Sequence, residues 1–322
     1  MSSTSLHRLR RLLLLISLIG VAIALWQPTW QREQATYKLL FTVDITGSMN
    51  VRDYTDRGHP QSRLERSKQV MLELLQQLPC GSQVGLAIFT ERRSFLLLEN
   101  MEVCSNYSPL SQAISMLNWR MAWEGDSHIA RGLYSAVDLA HSLNSDLLFI
   151  SDGQEAPPLP HHGRPDYDGT SDEQSAPQGF VLGAGGLALS PIPKHDEEGN
   201  EIGFFSEDEV DQENRLGLPP TSAEESEGWH PRNAPFGAAS ARGTEHLSSV
   251  KQSYLQELAL ATNLDYADLD TADQLLPLFA THLRATLQSS PYNTRSIWLG
   301  ITLLSLILYY LSALLTRREQ RP

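Results

Sequence analysis

Leu39-Leu40-Phe41-Thr42-Val43-Asp44-Ile45-Thr46-Gly47-Ser48 joins an apolar run to one carboxylate and two hydroxyls at alternate positions. A short continuous apolar run reads as a strand buried on both faces, which belongs in a parallel sheet covered by helices. Polar groups at the carboxyl end of such a strand sit where open α/β sheets bind ligands. Oxygen donors of this kind suit a hard divalent cation. A second reading fits the same residues, because Asp and Ser are favoured N-caps and can simply start the next helix.

Outward from this stretch, strand-like and helix-like segments alternate, the pattern of an α/β sheet. Ser62 to Leu78 is amphipathic, with Leu64, Val70, Met71, Leu74, Leu75 and Leu78 near helical spacing. Val84 to Thr90 and Ser94 to Glu99 predict a hairpin turning at Glu91-Arg92-Arg93. Pro109 to Leu117 and Ile129 to Leu143 predict helices around a loop over 118–128. Asp146 to Ile150 is a second buried strand, ending at Ser151-Asp152-Gly153. A strand over Gly179 to Ala184, a helix over Ser253 to Thr262, a short strand at Tyr266-Ala267-Asp268 and a closing helix over Ala272 to Leu287 complete the series. The expected fold class is therefore α/β: a doubly wound, mostly parallel sheet with one antiparallel edge strand, over residues 37–287.

Two stretches break the regularity. Residues 156–178 are crowded with Pro, Gly, Asp and Ser and predict a surface loop. Residues 187–244 form an acidic insertion, in which 191–194 and 202–205 flank Glu198-Gly199-Asn200 and predict a small hairpin followed by flexible chain.

The chain has 322 residues and a formal net charge of -13, which argues against nucleic acid as a partner. Residues 12–30 are largely apolar and follow His7, Arg8, Arg10 and Arg11, the build of a signal sequence or a signal anchor. Ala22-Ile23-Ala24 fits a cleavage site, whereas Trp26 and Trp30 fit interface anchors of an uncleaved span, the reading preferred here. Residues 296–315 are free of charge and long enough to cross a bilayer, with Arg317, Arg318 and Arg321 beyond them. By the positive-inside rule, the termini at 1–11 and 316–322 are cytoplasmic and residues 31–294 lie outside; Arg295 alone dissents. Cys80 and Cys104, the two cysteines, are equally far from Arg92, so a regular hairpin sets them opposite each other. A disulfide in an exported compartment follows, with two separately buried thiols as the alternative.

Two further motifs join the opening stretch: Gly125-Asp126-Ser127-His128-Ile129 before a helix, and Ser151-Asp152-Gly153 after a strand. Strand ends and helix starts share one face of a parallel sheet, so Asp44, Thr46, Ser48, Ser127 and Asp152 converge there. These donors leave positions for water and one outside ligand, as is usual for magnesium; calcium and manganese are the alternatives.

In this order and strand context, the motifs resemble the von Willebrand factor type A domain and its metal-ion-dependent adhesion site. That resemblance implies Asp44 and Asp152 as the carboxylates, Thr46 and Ser48 as hydroxyl positions of the first motif, and Ser127 where Thr is common. Asp126 stands where Gly is common. Residues 44–54, 87–93, 119–127 and 150–155 resemble MxaL-type membrane proteins encoded with bacterial methanol dehydrogenase. This implies a periplasmic accessory role, held at the bacterial inner membrane, in metal insertion or assembly of that enzyme. Ser62 to Lys68 resembles a broader group of membrane proteins linked with aerotolerance and with MoxR-type ATPases.

The function expected is a non-catalytic module in which a partner's carboxylate completes the shell of a bound cation. A hydrolase with Ser48 or Ser127 as nucleophile and His128 as base is the rival, and neither a Gly-x-Ser-x-Gly nor a His-Glu-x-x-His motif supports it. On the leading reading, Asp44→Ala and Asp152→Ala weaken partner binding and leave folding largely intact.

Overall fold

A computed structural model describes residues 3–26, 29–123, 125–159, 163–169, 176–212, 230 and 242–319. The chain divides into two compact units, 35–286 and the pair of terminal segments 1–34 and 287–322. The helices are α1 (Ser3–Trp26), α2 (Arg63–Gln77), α3 (Tyr107–Met116), α4 (Ile129–Ser142), α5 (Gln252–Ala261), α6 (Ala272–His282) and α7 (Arg295–Glu319). The main sheet is built from β1 (Lys38–Asp44), β2 (Gln83–Thr90), β3 (Arg93–Glu102), β4 (Asp146–Ser151), β5 (Gly179–Gly183) and β6 (Asp265–Asp268).

Sheet order is β6-β5-β4-β1-β2-β3, every pair parallel except β2 with β3 at the edge. The chain runs one way from β1 to β3 and the other way from β4 to β6. The order therefore reverses between β1 and β4, the place where open sheets leave a crevice at their carboxyl ends.

Two cores cover the sheet. Leu39, Phe41 and Val43 of β1 pack with Leu74 of α2, Ile114 of α3 and Phe279 of α6. Leu40 faces the other side, with Leu133 of α4 and Leu255 and Leu258 of α5. Alternation along one strand thus fills both layers, which is why β1 is buried from Leu39 to Asp44. Helix α4 lies close on β2 because residue 132 is glycine: a Cβ there meets the Phe89 ring at 2.1 Å.

Cys80 and Cys104 form a disulfide just beyond the last β2–β3 pair, Gln83 with Glu102. The ladder slips twice, around Leu86, so the hairpin is not the regular one expected from sequence. Burial raises the Glu102 carboxyl, but the Ser105 hydroxyl and the amides of Gly81, Ser105 and Cys104 outweigh it and pull the group down to about 2.

Two further expectations are corrected. The closing helix stops at His282 rather than Leu287, because the Arg284 amide and Nε turn to Asp146 at 2.8 and 2.7 Å. Chain that follows enters a strand, Thr286–Asn293, paired with Thr29–Thr36. Helix α1 ends at Trp26, so Trp30 sits in that strand rather than in a span.

In the terminal unit, Arg8–Trp26 and Arg295–Ser312 are each long and apolar enough to cross a membrane. They pack against each other: Gly20 admits Thr302, and Arg10 donates to the Ser312 carbonyl at 2.6 Å.

Candidate metal centre

The proposed ligands come from three segments of the fold. Asp44 closes β1, and Thr46 and Ser48 lie at the single 3-10 turn Gly47–Asn50 that replaces a full helix start. Neither Asp44 nor Thr46 caps a long helix, and Thr46 makes no side-chain cap bond at the head of that turn. Ser127 is tied on both sides, exchanging amide bonds with Ala156 at 2.6 and 2.8 Å, while the His128 amide donates to the Glu91 carbonyl at 2.6 Å. Asp152 follows β4, beside β1 in the sheet, and Gly153 at φ +79 turns the chain away where any side chain is strained.

Thr46, Ser48 and Ser127 share a cavity of about 340 Å³. Asp44 and Asp152, each 0% exposed, do not line it but bond to residues that do, Asp44 to Thr46 and Asp152 to the Gln154 amide. The Ser151 hydroxyl donates to Asp44 Oδ2 at 2.7 Å, and Asp44 Oδ1 accepts from the amide and hydroxyl of Thr46 at 2.9 and 2.7 Å. Burial, then the charge of Asp152, pushes the Asp44 carboxyl up to about 7, although the bonds from Thr46 and Ser151 pull the other way.

The hydroxyls of Ser48 and Ser127 are buried, have no hydrogen-bond partner, and line this same cavity. A buried hydroxyl without a partner costs about 1–3 kcal/mol, so these two oxygens fit a ligand from outside the protein. Thr42 and Thr90 also carry orphaned hydroxyls, but inside strands and away from the cavity. The donor set is all oxygen, and two buried carboxylates are bonded to its neighbours Thr46 and Gln154. Hydroxyls, carboxylates and charge fit a divalent cation, with Ser48 and Ser127 as the ready donors. Thr46 differs, since its hydroxyl is turned to Asp44.

Asp126 is partly exposed at the rim, 3.8 Å from Arg92 and 3.7 Å from His128. Such an exposed pair contributes little to stability. His161 and His162 lie outside the described residues, as do Glu124 and much of the insertion.

Sequence reasoning missed the largest fully buried side chain among the described residues. Arg63, at the first position of α2, is 0% exposed and donates through all three nitrogens. Nε and Nη2 reach Asp53 Oδ2 at 3.0 and 2.7 Å, Nη1 reaches Asp152 Oδ2 and the Ser248 hydroxyl at 2.6 Å each, and Nη2 also reaches the Ser248 carbonyl at 3.2 Å. Burial alone lowers the Arg63 pKa, but Asp152 and Asp53 outweigh it and the net shift is upward. The signal was present in the helical stripe: Arg63, Ser67, Val70, Met71 and Leu74 all face inward.

This pair revises one expectation. Asp152→Ala does not leave folding intact, because removing one partner of a buried ion pair costs about 3–5 kcal/mol. Ser48→Ala and Ser127→Ala, whose hydroxyls touch no protein partner, are the clean probes of the site.

Residues 39–154 match the family model of the von Willebrand factor type A domain. The mostly parallel sheet and its helices are the fold of that domain. No curated protein matches the chain. Among solved structures it is similar to an aerotolerance-related membrane protein from Bacteroides fragilis, at 18% identity and a TM-score of 0.48, over 76% of this chain and 97% of that one. It is also similar to the conserved protein BatB from Bacteroides thetaiotaomicron, at 17% identity and a TM-score of 0.46, over 76% of this chain and 96% of that one. A membrane-spanning protein from Vibrio fischeri aligns at 16% identity with a TM-score of 0.28, over 76% of this chain and 96% of that one.

Proposed function

We propose that the chain is a membrane-anchored, cation-dependent protein-binding module without catalytic activity. The observation that carries this reading is the pair of orphaned hydroxyls, Ser48 and Ser127, in one cavity. When bound, a divalent cation supplies an open position for a partner's carboxylate. The residues around it do the rest: the buried Asp44 and Asp152 would supply negative charge, and Ile192, Phe205 and Pro157 give the cavity wall an apolar part that shapes what enters. Magnesium is the first choice of cation, with calcium or manganese in its place as alternatives.

The domain, on this reading, lies on the outer side of a bacterial inner membrane with both termini in the cytoplasm, a placement the flanking arginines support. Its client is an envelope protein under assembly. Residues 44–54, 87–93, 119–127 and 150–155 point to maturation of methanol dehydrogenase; Ser62 to Lys68 points instead to an aerotolerance-type assembly or stress role with a MoxR-type ATPase.

The test is crosslinking and pull-down from native membranes with wild type, Ser48→Ala and Ser127→Ala. Magnesium-dependent recovery of one protein set, lost in both variants and in chelator, is the expected result. Methanol dehydrogenase subunits in that set select the first client, and a MoxR-type ATPase selects the second. Equal recovery by variants that no longer bind magnesium overturns the proposal.

A further inference from the structure

Asp152 has both carboxylate oxygens engaged, and each leads to the root of the insertion. Oδ2 accepts from Arg63 Nη1 at 2.6 Å and from the Ser248 hydroxyl at 3.2 Å. Oδ1 accepts from the Gln154 amide at 3.0 Å, and the Gln154 side chain donates onward to the carbonyls of Glu245 and Leu247 at 3.1 and 3.3 Å. Ser248 pairs with Ser190 in a short antiparallel ladder, so the two ends of the insertion meet at this point. Arg63, Asp152 and Ser248 are each 0% exposed. Between those ends, Ile192, Phe205, Val210 and Asp211 line the cavity shared by Thr46, Ser48 and Ser127.

We propose that Arg63 and Ser248 are positioning residues that couple the cation site to the seating of the insertion over the cavity. The inference rests on the cation-binding reading above. A buried guanidinium is tolerated only while its donors are matched, and moving Ser248 away removes two acceptors from Arg63 and one donor from Asp152. Asp152, the carboxylate a bound cation would draw on, is held in the orientation that both Arg63 and Ser248 reach. Cation binding therefore tightens the root of the insertion, and by linkage a seated insertion raises cation affinity by the same factor. The consequence is that one cation sets both the charge of the site and the wall a partner must pass.

Manganese is the probe, with the full chain in detergent micelles. Calorimetry reads its affinity, and amide hydrogen exchange reads residues 186–192 and 244–250. Saturating manganese slows exchange in both segments by about tenfold in wild type. Ser248→Ala loses most of that protection and an equal factor in manganese affinity, and Ser248→Thr, which keeps the hydroxyl, restores both. Arg63→Lys behaves like Ser248→Ala; should it fail to fold, the Ser248 pair decides alone. Manganese binding to wild type without slower exchange, or full protection in Ser248→Ala, overturns the coupling. Absence of any manganese binding overturns the cation site itself, and the coupling with it.

Discussion

Asp44 is wholly buried, and burial together with the neighbouring charge of Asp152 pushes its carboxyl up to about 7. The unfolded chain releases that proton near the ordinary Asp value of about 3.9. A folded pKa above the unfolded one means that the contribution to stability is complete below about pH 4 and is lost as pH rises through about 7. In chelator, the melting temperature of the protein therefore falls between pH 5 and pH 8. Magnesium needs the ionised carboxylate, so the stabilisation it adds grows over the same window. Thermal melts across that range, with chelator and with magnesium, check both slopes; a flat profile in chelator contradicts the assignment. Asp44, Ser48, Ser127 and Asp152 were legible as residues because polar groups stand out against apolar runs. Arg63 shows in the sequence only as a position on the inward stripe of α2, and its partners do not show, since Asp53, Asp152 and Ser248 are distant from one another in the chain.

At the scale of elements, the six sheet strands and α2 to α6 all fall where hydrophobic periodicity places them, and the boundaries shift by a few residues. Helix α2 shows why: Ser62 caps it by accepting the Glu65 amide, and the inward stripe then repeats at helical spacing. Periodicity misled at the closing helix, where the apolar pattern continues but Asp146 captures the Arg284 backbone. The β2–β3 hairpin is a second case, since its two register slips leave no mark in composition. The Cys80–Cys104 bond closes a segment of 24 residues in sequence separation beyond that hairpin. Replacing both cysteines by serine is expected to lower stability by about 3 kcal/mol, read as a shift in the urea midpoint at unchanged slope.

The whole molecule carries two apolar helices that pack on each other and a separate von Willebrand A-type unit. Fusions test the proposed orientation directly. A reporter active only in the cytoplasm reports when placed before residue 8 or after residue 319 and is silent at residue 200; alkaline phosphatase gives the opposite pattern. Reversal of either pattern refutes the outward placement of the domain. If the N-terminal segment is cleaved, the mature chain lacks its first residues and the N-terminal fusion is released, which immunoblotting reads.

The sequence by itself determined the α/β class, the antiparallel edge and the two long apolar helices, and it singled out the residues of the candidate cation site. Those depend on local periodicity and on which polar groups end a strand. Only the tertiary structure decided that Thr46 turns to Asp44, that Asp152 is held by a buried guanidinium, and that the root of the acidic insertion is bonded to the same aspartate. Such pairings join residues up to 185 positions apart, Arg63 to Ser248, and depend on how two layers of helices close on one sheet. No local pattern encodes that closure, because burial and partner choice are properties of the packed whole.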